Sequence, residues 1–118
     1  IYIDRIKNAE PQVESTQLLL GLAELRIGEL DTAISRLRKF TQVENVPELQ
    51  KSASYCGIAV ALLQSGKLDE GREAIANAKA AMQSEPKNAA VSYHEVLLAD
   101  ALLREATRLE EELTALGN

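Results

Sequence analysis

The string Gly28-Glu29-Leu30-Asp31-Thr32-Ala33 returns 38 residues later as Gly66-Lys67-Leu68-Asp69-Glu70-Gly71. A chain that recurs at one period between 20 and 50 residues is a stack of similar supersecondary units, and this excludes most other architectures at once. The neighbours of the two strings decide whether the recurrence is real. At the same offset Leu20 meets Ile58 and then Val96, Leu37 meets Ile75 and then Leu113, Gly21 meets Ala59, and Tyr55 meets Tyr93. The agreement is strong over two copies and fades in a third.

Each copy reads as two helices joined by the recurrent string. Ala, Leu and Glu are abundant and aromatics make up 3% of the chain, which favours helix over strand. Leu18, Leu19, Leu20, Leu22, Ala23 and Leu25 give a broad apolar face before Gly28, and Ala33, Ile34, Leu37 and Phe40 give a narrower one after it. Glycine ends the first helix because it adopts the left-handed backbone without steric cost. Asp31 and Asp69 fall in the opening turn of the next helix, where an acid complements the dipole and can satisfy free amides. Pro11, Pro47 and Pro86 each precede a resumed helical pattern, where a missing N–H costs nothing. These signals place helices at about 2–9, 12–27, 30–43, 47–65, 68–83 and 88–116.

The last helix differs in kind. Arg104 stands where a third turn glycine would fall, so the helix runs on for roughly 40 Å as a cap. Leu98, Leu102, Leu109, Leu113 and Leu116 mark its apolar seam, and Asp100 with Arg104 forms an acid-first i,i+4 pair. Leu20, Ile58 and Ile75 are core positions whose truncation to Ala costs about 2–5 kcal/mol. Gly57 in mid-helix costs about 1 kcal/mol relative to Ala, which implies close approach of a neighbouring helix.

These positions resemble the tetratricopeptide repeat, a helical hairpin whose usual unit has 34 residues. That family places a small residue eighth, a glycine fifteenth and an alanine twentieth. Gly21, Gly28 and Ala33 keep those places if a unit starts at Glu14, and Leu20 is its large seventh residue. A second unit from Ser52 keeps Tyr55, Ala59, Gly66 and Ala78, while Gln17, Glu24 and Gly71 depart from the pattern. The resemblance divides the chain into the end of a preceding repeat (1–13), two repeats (14–51 and 52–89) and a capping helix (90–118). It implies an all-α fold of antiparallel helical hairpins wound into a right-handed superhelix with a long C-terminal capping helix. The tail from Tyr93 to Leu113 also resembles the closing helix of such arrays in bacterial multidomain proteins, including serine/threonine kinases.

In this family the first helix of each unit lines a concave groove through positions two, five, nine, twelve and thirteen. The resemblance carries these to Ser15, Leu18, Leu22, Leu25 and Arg26, then to Ala53, Cys56, Val60, Leu63 and Gln64. Leu18 and Leu22 stand where family members that grip a peptide's terminal carboxylate carry Lys and Asn, so that mode is rejected. An open apolar groove of this kind is expected to take a partner peptide or helix, a further repeat, or a second copy of the chain. The expected role is a non-catalytic protein-interaction scaffold; the alternative is the C-terminal array of a larger bacterial regulatory enzyme that it positions or oligomerises.

Other function classes lack residues. A net charge of −5 argues against nucleic acid and anionic membranes, and Arg26 alone does not make an RNA-binding groove. One histidine and one cysteine make no usual zinc site, and no glycine-rich phosphate loop follows a strand, so no metal or cofactor is expected. Cys56 and His94 occupy equivalent positions and form an imaginable nucleophile pair, but a simply packed thiol is the favoured reading. Glu110, Glu111 and Glu112 read as a solvated helix end. No run of about 18 apolar residues is present, so no membrane insertion is expected; the compartment is left unknown, with the cytoplasm favoured. The start at Ile1 suggests a fragment of a longer chain.

Overall fold

The computed structural model describes residues 14–43, 46, 48–84 and 93–117. They form five helices and no strand: α1 (Glu14–Arg26), α2 (Leu30–Thr41), α3 (Glu48–Gln64), α4 (Leu68–Ser84) and α5 (Tyr93–Gly117). The expected helix at 2–9 and the three prolines lie outside the described residues.

The recurrent string closes both hairpins with one set of hydrogen bonds. In the first, the Glu29 amide donates to the Glu24 carbonyl at 3.0 Å and the Gly28 amide to Leu25 at 3.2 Å. In the second, Lys67 donates to Leu62 at 2.9 Å and Gly66 to Leu63 at 3.0 Å. This is the Schellman arrangement, in which a residue in the left-handed region turns the chain back onto the carbonyls that the helix end leaves free. Gly28 and Gly66 have φ of 86° and 80°. The next helix also starts alike: Ala33 donates to Glu29 and Gly71 to Lys67. With three residues between helices that pack on each other, each pair folds back as a hairpin. The residue before α2 is Glu29, whose side chain makes no capping bond, so Asp31 acts there through the dipole.

α3 is the centre of the fold. It touches each of the other four helices, and 12 of its 17 residues are buried. A helix buried on every side shows little amphipathic pattern, unlike α2, whose buried residues Ala33, Ile34, Leu37 and Phe40 follow helical spacing. Leu20, Ile58 and Ile75 are buried as the sequence requires. Two buried hydroxyls tie neighbouring helices to α3: Ser54 donates to the Leu37 carbonyl at 2.8 Å and Ser52 to Ala78 at 2.9 Å.

Glycines set how closely the helices approach. A Cβ on Gly57 would lie 2.9 Å from methyls of both Leu22 and Leu37, so a neighbouring hairpin does pack on that backbone. Gly71 takes the place where the resembling family carries alanine, and the packing gives the reason. A Cβ there would lie 2.6 Å from the branched carbon of Leu63, which is itself buried. Gly71→Ala is therefore expected to destabilise by up to about 2 kcal/mol: overpacking of about 1–3 kcal/mol is offset by a helix-propensity gain of about 1 kcal/mol. Urea denaturation followed by circular dichroism checks this, and a more stable variant would refute it.

α5 lies along α3 and beside α4. Its contact stripe is Ala99, Leu102 and Ala106, all buried, extended by half-buried Leu98, Leu109 and Leu113. Two corrections follow. The seam is built on alanines as much as leucines, because small side chains let two helix backbones approach closely. Leu116 lies outside it, 82% exposed. The expected Asp100–Arg104 pair is present at 3.0 Å. Val96, which the third copy aligns with Leu20 and Ile58, is exposed, because α5 packs on α3 through a different face.

Candidate interaction surface

The sequence reading puts Leu18, Leu22, Leu25, Ala53, Cys56, Val60 and Leu63 on an open concave surface; the structure corrects this. Leu18, Leu25, Ala53, Cys56, Val60 and Leu63 are buried, and Leu22 is half-buried against the same core. On α3 the cover is α5, whose Ala99, Leu102 and Ala106 join one continuous core with Ala53, Cys56, Val60 and Leu63, while Leu18, Leu22 and Leu25 belong to α1, which packs on α2 and α3. Only Arg26 and Gln64 remain exposed among the expected groove residues. The side chain of Ser15 lies outside the described residues.

Arg26 is engaged in holding α5. Its two terminal nitrogens donate to the two carboxylate oxygens of Glu105, each at 2.9 Å, in the parallel fork that suits guanidinium and carboxylate. A second clamp reaches α5 from α4: Arg72 donates to Glu110 at 3.2 Å and to the Thr114 hydroxyl at 2.9 Å. Glu110 thus belongs to this contact, while Glu111 and Glu112 are exposed. The Arg26 hydrogen bond holds the Glu105 carboxyl below its usual range, opposed by burial. A lowered carboxylate pKa contributes stability that is present at neutral pH and lost as pH falls below about 4. Arg26 is more than half exposed, so Glu105→Gln is expected to cost only about 0.2–1 kcal/mol at pH 7. The difference from the parent should shrink at pH 3; a constant difference in urea midpoints would count against the ion pair.

Cys56 is fully buried, with its sulfur 3.9 Å from the Ala99 carbonyl oxygen. Burial pushes the thiol up to about 12, against a smaller opposing effect of a hydrogen bond with Ser52. The thiol therefore stays protonated at neutral pH, in the environment of a structural cysteine and not of an activated nucleophile. The side chain of His94 lies outside the described residues.

One buried charge was not legible in the sequence. Glu24, at the position of the resembling family's tyrosine, is 1% exposed and accepts from Arg36 at 2.7 and 3.3 Å. Arg36 also donates to the Gln17 side-chain oxygen at 2.8 Å. Long side chains at the hairpin's edge thus close over the buried acid, as buried charges require.

Among the described residues a cleft of about 520 Å³ beside α2 is lined by Asp31, Ser35, Arg38, Lys39, Lys67 and Glu70, and two others are related by the repeat. The larger, about 660 Å³, runs along the first hairpin and is lined by Gln17, Thr32, Ser35, Arg36, Lys39 and Phe40, with Asp31 and Val43 at its ends. The smaller, about 340 Å³, lies where the first hairpin meets the second. No family model, curated protein or solved structure matches the chain. No helix among the described residues is long and apolar enough to cross a membrane.

Proposed function

We propose that the chain is a tetratricopeptide-like scaffold, a right-handed superhelical stack of helical hairpins without chemistry of its own, which binds a protein or peptide partner. The observation that supports this reading is the repeated hairpin: the same turn, with the same four backbone partners, recurs at an offset of 38 residues. Stacked repeat units present extended surfaces that such proteins use for recognition. With the groove positions of α3 beneath α5, the partner surface shifts to the free side of the first hairpin. There Leu19 is 45% exposed beside half-buried Ala23.

Affinity capture from a lysate of the source cells tests the reading. The parent chain is compared with Leu19→Glu, a surface change that circular dichroism should show to leave the helices intact. A protein held by the parent and lost by the variant supports the scaffold. Nothing captured by either would sink it.

A further inference from the structure

The two clefts are equivalent. At the offset of 38, Gln17, Thr32, Ser35, Arg36 and Lys39 of the larger fall on Tyr55, Glu70, Glu73, Ala74 and Asn77 of the smaller. The smaller has an additional wall formed by Arg38 and Thr41 of α2, because the first hairpin packs onto the second. Among the described residues the larger cleft has no such wall, in keeping with its greater volume. The adjoining helix face agrees. Gly57 touches Leu37 of the covering α2, whereas Leu19, at the equivalent position, is 45% exposed.

The charge differs between the two seats. α4 presents Glu70 and Glu73 to the cleft that holds Arg38; α2 presents Thr32 and Ser35 instead, with Lys39 in place of Asn77. Lys39 is exposed and has no ion-pair partner among the described residues. Arg36 is already paired with Glu24, and Asp31 lies eight residues from Lys39, roughly 12 Å along the helix. An arginine that suits the second seat therefore meets like charge in the first, and a carboxylate meets a free ammonium.

We propose that the cleft of the first hairpin is a docking site for a helix of a partner protein. The helix is seated as α2 is seated on the second hairpin, with a carboxylate where α2 has Arg38. It carries a small residue where α2 has Leu37, because Leu19 fills the space that Gly57 leaves open. This rests on the scaffold reading and specifies its partner chemistry: although the chain is acidic overall, the helix it takes is acidic at this seat.

A stapled helical peptide of residues 30–43 carrying Leu37→Ala and Arg38→Glu is the probe, and the same peptide retaining Arg38 is its control. Each is titrated into the full chain and followed by amide chemical shifts. The acidic peptide should bind about tenfold more tightly, with shifts at Gln17, Ser35 and Lys39, and Lys39→Glu in the chain should reverse the order. Equal affinities, no binding, or shifts confined to α4 and α5 would overturn the site. So would a carbodiimide cross-link in the free chain from Lys39 to Asp4 or Glu10, or to a second copy, since the seat would then be occupied by the chain itself. In the lysate capture, a partner held equally by the parent and Lys39→Glu removes this site but leaves the scaffold; no partner at all removes the scaffold.

Discussion

Leu37→Ala is expected to destabilise the fold by about 4 kcal/mol, near the upper end of the usual range of about 2–5 kcal/mol for buried leucine. The side chain is fully buried and lies between two glycines. Its atoms approach within 2.6 Å of a Cβ built on Gly21 of α1 and within 2.9 Å of one built on Gly57 of α3. Residues without side chains cannot fill the space that truncation leaves, so the cavity persists and its full cost is felt. Typical domains are stable by only about 5–15 kcal/mol, so the midpoint of urea denaturation should fall sharply. A cycle with Gly57→Ala isolates the cause. The added methyl should destabilise the parent and cost less beside Ala at position 37, where only the Leu22 methyl still crowds it. Additive effects would show that Leu37 and Gly57 do not share that space.

Alkylation of Cys56 is expected to be slower than that of an unfolded thiol by about three orders of magnitude at neutral pH. A thiol pushed from about 9 to about 12 has a thiolate fraction lower by that factor, and burial beneath α5 denies the reagent access as well. Iodoacetamide labelling with and without urea measures the ratio, and rapid labelling of the folded chain would overturn the assignment. A second consequence concerns alkaline pH. The folded state holds the thiol proton more tightly than the unfolded state, so the contribution is complete below about pH 9. It is lost as pH rises from there toward 12. At about 1.4 kcal/mol per tenfold change, the loss approaches 4 kcal/mol at most. Cys56→Ala should lack this component of the alkaline decline.

Both expectations depend on contacts between hairpins, and these divide what was legible from what was not. The turns were legible because they are local. A glycine after an apolar run leads to a left-handed residue and two hydrogen bonds within six residues, whatever surrounds them. Leu20, Ile58 and Ile75 were legible because helical spacing marks a core face. Gly57 announced a close neighbour through its cost to the helix, though not that Leu22 and Leu37 would supply it.

The surface was less legible for the opposite reason. Leu18, Leu25, Cys56, Val60 and Leu63 carry the apolar pattern of a groove, but the same pattern serves a face that another helix covers. Burial of Glu24 depends on the reach of Arg36, 12 residues away, across the hairpin. The difference between the two clefts among the described residues comes from Arg38 and Thr41 of α2, which wall the second.

By itself the sequence determined an all-helical chain, the two hairpin turns, their 38-residue spacing and the core stripes of the individual helices. These follow from backbone preferences and side-chain periodicity within a few turns of chain. Only the tertiary structure decided that α5 would lie along α3 and cover the apolar positions there, while among the described residues no helix walls the first hairpin's cleft as α2 walls the second. Which apolar face meets which is settled by shape at long range, by Ala99 and Ala106 against α3 and by Arg26 reaching Glu105, between residues far apart in the chain.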